Sequence, residues 1–155
     1  MCHRLFVLVA FLPLAATALA QSGPAVDQRI ALKRVGSPAI SPDGRYVAYT
    51  VRETNWDENA YETEIWIAET ANGTVRQLTN AKKSSSSPTW APDGQSLAFT
   101  SDRSDKQQIY VIRMAGGEAE AITSSDDGVG GSLMWSPDGK RIAYTVTDPK
   151  SDAKK

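Results

Sequence analysis

The sequence predicts an all-β protein: a partial β-propeller of about two and a half four-stranded antiparallel blades, preceded by a signal peptide. Two observations predict this fold. The phrase Ser/Ala-Pro-Asp-Gly occurs three times, with its Asp-Gly pairs at 43–44, 93–94 and 138–139, and each copy is followed by an alternating apolar strand. The copies are spaced by 50 and 45 residues. A period in the forties made of short strands is typical of propeller blades, none of which can bury its faces alone.

Residues 1–20 are predicted to be a signal peptide. Arg4 precedes an almost wholly apolar run over 5–20, which closes on the small-x-small pattern Ala18-Leu19-Ala20. A retained membrane anchor is the alternative, but the run contains Pro13 and falls short of the roughly 20 apolar residues that a spanning helix needs. We therefore expect an exported protein, periplasmic or secreted, with no stable membrane anchor after cleavage before Gln21.

The mature chain has neither cysteine nor histidine, since Cys2 and His3 both lie in the signal peptide. A disulfide framework is therefore impossible. Without Arg4, 16 of the 17 Lys and Arg residues remain against 18 Asp and Glu, which gives a formal charge of −2. This balance gives no reason to expect nucleic acid as a partner.

The period divides the mature chain into a lead-in and three units. We expect the lead-in over 21–36, blades at about 37–79 and 87–123, and an incomplete blade over 132–155. The third unit supplies only its first two strands, whereas a closed propeller needs about four to eight blades. Burying a large apolar side chain contributes about 1.5–3 kcal/mol. The open third unit therefore favours a longer protein, of which this chain is the front part.

Each strand of a blade has its own signature. In Ser41-Pro42-Asp43-Gly44, proline presets φ and glycine takes the positive φ that follows. The next strand alternates large and small apolar residues, so the large face of one sheet can interlock with the small face of its neighbour. The third strands, at 65–68 and 109–112, are apolar without alternation and are predicted to be covered on both faces. Asn72-Gly73 and Gly116-Gly117 predict two-residue hairpin turns into a short outer strand.

Three stretches carry a family resemblance that covers nearly all of the mature chain, from Asp27 to about Val146. They are LKRVGSPAISPDGRYVAYTV (32–51), NWDENAYETEIWI (55–67) and SPTWAPDGQSLAFTSDRSDKQQIYVI (87–112). Together they resemble the amino-terminal propeller of secreted bacterial serine peptidases of the prolyl oligopeptidase family, in the acylaminoacyl-peptidase and dipeptidyl-aminopeptidase branch. The resemblance implies that an α/β-hydrolase domain with a Ser-Asp-His triad follows the propeller, and that the propeller restricts access to its active site.

The sequence offers no catalytic, cofactor-binding or metal-binding residue. A triad needs a histidine as general base, and the mature chain has none. The nearest approach to a G-x-S-x-G elbow, at 130–134, has methionine in place of the last glycine. Turn chemistry accounts for the three aspartates that precede glycine, so they do not indicate calcium. Peptide substrates would be met through the absent α/β-hydrolase domain.

The first blade carries a six-residue insertion that the second blade lacks. The insertion falls within an acidic segment at 52–62. Glu58 and Glu62 are candidates to hold the free amino terminus of a substrate, as propeller glutamates do in dipeptidyl members of the family. The alternative is a solvated loop that caps the blade through Trp56 and Tyr61. Trp90 and Trp135 occupy one repeat position just before the turn, which favours blade packing over sugar stacking.

Three functions remain open from the sequence. The first is the propeller portion of an exported serine peptidase, serving as gate and substrate-selection scaffold. The second is a non-catalytic periplasmic propeller that binds partner proteins and resembles the propeller of the Tol system, in which the Pro-Asp-Gly phrase also occurs. The third is a small interaction protein that completes its sheet by forming oligomers.

Overall fold

The computed structural model describes residues 26–146. The predicted signal peptide, the lead-in up to residue 25 and residues 147–155 of the third unit lie outside the described residues. Within that range the chain forms one short helix, α1 (Val26–Ile30), and ten strands. The strands are β1 (Arg34–Ile40), β2 (Tyr46–Asn55), β3 (Ala60–Glu69), β4 (Val75–Gln77), β5 (Ser85–Trp90), β6 (Ser96–Ser104), β7 (Lys106–Arg113), β8 (Glu120–Ala121), β9 (Gly130–Trp135) and β10 (Ile142–Thr145).

The strands form three antiparallel sheets in chain order. Blade 1 consists of β1-β2-β3-β4, blade 2 consists of β5-β6-β7-β8, and the third unit is the two-stranded sheet of β9 and β10. The prediction of an all-β partial propeller with four-stranded antiparallel blades is confirmed.

The inner strand of each complete blade begins ahead of the expected blade start. β1 begins at Arg34, not near 37, and β5 begins at Ser85, not near 87. The reason is a bulge in each strand, where Ser37 and Ser87 adopt positive φ angles of 46° and 55°. Residues on both sides of the bulge pair with the next strand, for example Val35 with Val51. A bulge adds a residue without ending the ladder, so β1 extends back into the predicted lead-in and β5 into the connection between the blades.

The Pro-Asp-Gly turns are built as the sequence predicts. Gly44 has a φ of 71°, and its N–H donates to the carbonyl of Ser41 at 2.8 Å. Asp43 Oδ1 accepts hydrogen bonds from Ser41 Oγ at 2.6 Å and from Arg45 N at 3.1 Å. These bonds, the one from the serine first, lower the pKa of the Asp43 carboxyl. The turn around Asp138 repeats the arrangement, with the same direction of pKa change.

The predicted two-residue outer turns are wrong. Glu69 N donates to Thr74 O at 2.8 Å, and five residues, 70–74, connect β3 to β4. Thr70 donates from its N–H to Arg45 O at 2.9 Å and from its hydroxyl to Gly44 O at 2.8 Å. These bonds continue the pairing of β3 past Glu69 toward the inner turn, and the chain reverses only afterwards. In blade 2 the corresponding connection, over 114–119, is longer still.

The core between blades 1 and 2 is formed by a small face and a large face, as the alternation predicts. Blade 1 contributes residues of β2 and β3, and blade 2 contributes larger side chains of β5, β6 and β7. Phe99 and Tyr110 of blade 2 stack with their ring centroids 5.9 Å apart. The buried cluster consists of Ala48, Ile65, Ile67, Trp90, Leu97, Phe99, Tyr110 and Ile112.

A second, smaller cluster joins blade 2 to the third unit. It contains Ala98 and Ile109 of blade 2 together with Val129 and Leu133. Blade 2 therefore has a neighbour on each face, and most of its third strand is buried as predicted. The same prediction is wrong for blade 1, where alternate residues of β3, including Trp66, are only half-buried. Among the described residues, blade 1 packs against a neighbour on one face.

Each tryptophan that precedes a Pro-Asp-Gly turn reaches across to the preceding blade. Trp90 Nε1 donates to the carbonyl of Ala39 at 2.9 Å, and Trp135 Nε1 donates to the carbonyl of Thr89 at 3.1 Å. The two acceptors occupy the same repeat position, two residues before the turn begins. These contacts assign the tryptophans to blade packing, as expected, and fix the register between neighbouring sheets.

Candidate functional site

The acidic segment of blade 1 is an extension of a regular hairpin, and residues 56–61 at its tip are exposed to solvent. Strands β2 and β3 pair without interruption from Val51 opposite Glu64 out to Asn55 opposite Ala60. In blade 2 the corresponding ladder becomes irregular after Ser101 opposite Gln108. The extension contains the strand-favouring residues Thr54, Tyr61 and Thr63 among its charged ones. It places the turn over 56–59 beyond the end of the neighbouring blade's ladder.

Asn55 brings the two predicted glutamates together. Its Oδ1 accepts hydrogen bonds from the backbone N–H groups of Asp57 and Glu58, both at 3.1 Å. Its Nδ2 donates to Glu62 Oε1 at 2.6 Å. One side chain therefore fixes the turn that carries Glu58 and orients the carboxylate of Glu62. The sequence prediction missed Asn55, although an asparagine that bonds the backbone two residues on is a common turn signal.

Glu58 and Glu62 both line a cavity of about 370 Å³ at the base of this turn. They also line an adjoining cavity of about 400 Å³. Three carboxylates and one ammonium group line the first cavity, so its field favours a cation. The first cavity is lined by Asn55, Asp57, Glu58, Glu62, Asn80, Ala81 and Lys82.

Ala81, which lines the first cavity, is held in place by the buried carboxylate of Glu64, a residue that is 7% exposed. Thr79 Oγ1 donates to Glu64, and Ala81 N donates to it at 3.0 Å. Burial raises the pKa of the Glu64 carboxyl. The bonds from Thr79 and Ala81 and the charge of Arg103 oppose that rise, and the charge of Glu62 adds to it. Glu64 thus anchors the connection between blades that carries Lys82.

The corresponding position in blade 2 is Gln108, whose neutral amide accepts the two equivalent bonds on one oxygen, whereas Glu64 accepts one on each carboxylate oxygen. Gln108 Oε1 accepts from Thr123 Oγ1 at 2.7 Å and from Ser125 N at 3.0 Å. Its Nε2 also donates to Ser125 O at 2.7 Å. The two blades therefore anchor the equivalent connections from the same position, but only in blade 1 is the anchoring group ionisable.

The lead-in braces the hairpin extension. Thr54 Oγ1 donates to the carbonyl of Ile30 at 2.6 Å. Lys33 Nζ lies 2.6 Å from Glu53 Oε2, but both side chains are largely exposed, so this pair contributes little. The position of the turn is therefore fixed mainly from its base.

The adjoining cavity is lined by one carboxylate oxygen that lacks a hydrogen-bond donor. Asp102 Oδ1 is buried and accepts no hydrogen bond within the described residues. Lys82, Lys83 and Ser84 line the same cavity. A buried acceptor left without a donor is uncommon in folded proteins, so a donor from a bound group would be stabilising here.

Within residues 26–146, no group of three or more His, Cys, Asp and Glu residues is arranged to hold a metal ion. No described helix has the length and apolar character required to cross a membrane.

The four-stranded antiparallel blades pack face to face. An indole hydrogen bond joins blade 2 to blade 1 and the third unit to blade 2. These features define the chain as part of a β-propeller. The chain belongs to the family described as the PD40 TolB β-propeller domain, whose model matches residues 28–153.

Relatives within this group include both peptidases and Tol-system proteins. The chain is 41% identical over 122 residues to the uncharacterized peptidase YuxL of Bacillus subtilis, which covers 78% of this chain and 18% of YuxL. It is 31% identical over 125 residues to the Tol-Pal system protein TolB of Alcanivorax borkumensis, covering 79% of this chain and 27% of that protein. The chain thus spans less than a third of the length of either curated relative.

A solved structure shows the same fold. The acylaminoacyl peptidase of Pyrococcus horikoshii superposes with a TM-score of 0.60 at 24% identity, over 72% of this chain and 17% of that chain. The similarity to YuxL, together with this shared fold, confirms the predicted resemblance to peptidase propellers. None of the three comparisons spans more than a small part of the other protein.

Proposed function

We propose that this chain is the leading portion of the propeller of an exported serine peptidase, in which the propeller restricts access to an α/β-hydrolase domain that follows it. One observation carries the proposal. The similarity to YuxL extends over 78% of this chain but only 18% of that peptidase. Residues 21–155 contain no histidine to act as a general base, so in this proposal the triad belongs to the α/β-hydrolase domain.

In this peptidase, Glu58 and Glu62 would hold the free ammonium group of a peptide substrate. Asn55 fixes the turn that carries Glu58 and bonds Glu62 on β3, and the cavity that both glutamates line carries more carboxylates than ammonium groups. A carboxylate offers two oxygens and about four acceptor positions. The single bond from Asn55 therefore leaves Glu62 with capacity for an ammonium donor.

The test uses the complete gene product and two peptide substrates that differ only in acetylation of the amino terminus. A hydrogen bond to a charged group is worth about 1.5–3 kcal/mol, so Glu58→Gln and Glu62→Gln should each raise KM for the free peptide by about tenfold or more. The acetylated peptide should be cleaved with unchanged KM. Glu118→Gln, an exposed glutamate on the opposite end of the blades, is the matched control. Equal effects on both peptides, or no effect, would refute the assignment.

A second function is supported by the similarity to the Alcanivorax borkumensis TolB. In that case the chain would be part of a non-catalytic periplasmic propeller that binds partner proteins. Reading the coding DNA downstream of the Lys155 codon separates the two. Further blades followed by a G-x-S-x-G elbow, an aspartate and a histidine would establish the peptidase. A frame that closes after further Pro-Asp-Gly blades would establish the binding propeller.

A further inference from the structure

Blade 2 contributes a carboxylate to the cavity of about 400 Å³ that adjoins the proposed ammonium site. This residue is Asp102, which lies near the end of β6. Its Oδ1 is buried and accepts no hydrogen bond within the described residues. Glu58 and Glu62 of blade 1 line the same cavity. The unfilled acceptor therefore lies between two complete blades and not at the end of the described chain.

Ser84 fixes the position of Asp102 relative to Glu62. The N–H of Thr63, the residue after Glu62, donates to Ser84 Oγ at 3.2 Å. The hydroxyl of Ser101, the residue before Asp102, donates to Ser84 O at 2.9 Å. Ser84 itself lines the cavity. Two carboxylate residues from different blades are thus held beside one residue of the connection between those blades.

The lysines of this connection leave the acceptor of Asp102 unfilled. Lys82 and Lys83 line the cavity, but within the part of the chain that the structure describes neither forms an ion pair. Both side chains are exposed, and holding a lysine in one conformation costs rotamer entropy. Three carboxylates and two lysine ammonium groups line the cavity, so its net charge is negative and favours a cation.

The number of carboxylates matches the number of donors on a primary ammonium group, which carries three N–H bonds. The proposed function assigns two of these donors to Glu58 and Glu62, and Asp102 Oδ1 is an acceptor for the third. A secondary ammonium group, as in an N-methylated residue, carries only two N–H bonds. A site built to pair with a donor rejects a ligand that lacks it, because a buried acceptor is then left unpaired.

We propose that Asp102 accepts the third N–H of the substrate's primary ammonium group, so that the site selects a primary amino terminus over a secondary one. This inference rests on the proposed function, because it assumes that Glu58 and Glu62 hold the other two N–H groups. It adds a specificity-determining residue from blade 2 to a site whose other acceptors belong to blade 1.

The test measures KM for the complete gene product with two peptides that differ only in their first residue, glycine or N-methylglycine. A hydrogen bond to a charged group corresponds to about a tenfold change in affinity or more, so the glycyl peptide should have a KM lower by about that factor. Asp102→Ala should raise KM for the glycyl peptide about tenfold and leave the N-methylglycyl peptide unchanged. Asp126→Ala is the matched control, since Asp126 is an exposed aspartate of the next connection between units and lines neither cavity.

The outcomes separate this inference from the proposed function. Equal KM values for the two peptides in the wild-type protein would overturn the inference without any variant. A preference that survives in Asp102→Ala, while Glu58→Gln and Glu62→Gln each raise KM, would overturn the inference and leave the proposed function intact. An equal rise in KM for both peptides would assign Asp102 a structural role and also overturn it. No cleavage of either peptide, or no effect of the glutamate variants, would overturn the proposed function and this inference with it.

Discussion

Replacing Glu64 with glutamine should stabilise the chain at neutral pH. Glu64 is buried, and its burial raises the pKa of the carboxyl above its ordinary value of 4.5. A raised pKa means that the ionised form is less favourable in the folded chain than in the unfolded chain. Removing the charge therefore does not destabilise the fold at pH 7. The neutral form is already present in the repeat, as Gln108.

The magnitude follows from the contacts of Gln108. Glu64 accepts two hydrogen bonds, from Thr79 and Ala81. Those two bonds go to different carboxylate oxygens, whereas Gln108 accepts the equivalent two on Oε1 alone and donates a third from Nε2 to Ser125 O at 2.7 Å. A glutamine at position 64 gains the third bond by adopting the arrangement of Gln108. One net hydrogen bond contributes about 0.5–1.5 kcal/mol. We therefore expect Glu64→Gln to raise the free energy of unfolding at pH 7 by about 1 kcal/mol or somewhat more, because the burial of a charge is also relieved.

The assay is urea unfolding followed by tryptophan fluorescence between pH 7 and pH 4. Because its pKa is raised on folding, protonation of Glu64 stabilises the folded chain. This stabilisation is fully present below pH 4.5 and is lost as the pH rises through the folded pKa. The advantage of the variant should therefore be largest at pH 7 and should shrink on acidification. Gln108→Glu is the reciprocal control, and it should be destabilising at pH 7 with partial recovery at lower pH. A Glu64→Gln chain that is less stable than wild type at pH 7 would refute the reasoning.

Two other substitutions test the repeated contacts of the blades. Trp90→Phe keeps an aromatic ring but removes the hydrogen bond to Ala39 O, and it should lower the free energy of unfolding by about 1 kcal/mol, since the part-buried carbonyl loses its donor. Urea unfolding with no loss would contradict the role of the indole. Ser41→Ala removes the hydroxyl that donates to Asp43, so the pKa of that carboxyl should rise toward 3.8 in an NMR titration. The stability linked to Asp43 is present above pH 3.8 and is lost as the pH falls through its folded pKa, and an unchanged titration of Asp43 would show that the serine bond is not its cause.

Most of the fold was predictable because the same turn-and-strand pattern occurs three times in the sequence. The Asp-Gly spacing located the inner hairpins, and the alternation of large and small residues predicted how the blades interlock. The blade starts were less predictable, because the bulges at Ser37 and Ser87 depend on a backbone conformation that serine rarely adopts. The outer turns were wrong for a related reason. Bonds from Thr70 to Gly44 and Arg45 join segments 25 or more residues apart, and no local dipeptide pattern contains them.

The candidate site was predictable only in part. Acidic composition drew attention to Glu58 and Glu62, and the structure places both on the lining of the same cavities. Composition could not show that the segment is a paired hairpin, since the charged residues interrupt its apolar alternation. It also could not show that Glu64 is buried while Glu58 is exposed. Burial in a blade depends on which neighbouring sheet lies over each side chain, and that follows from the tertiary packing.

The tryptophan contact between blades makes each repeat a unit that can be duplicated whole. One period carries both halves of the junction: an indole that fits the carbonyl of the unit before it, and a carbonyl that accepts the indole of the unit after it. A gene that gains or loses a single period therefore preserves every junction of this kind without any new contact. This contact therefore sets no limit on the number of blades. Ile40 stands at the tryptophan position of blade 1 and cannot donate, so a junction on that face would depend on other contacts.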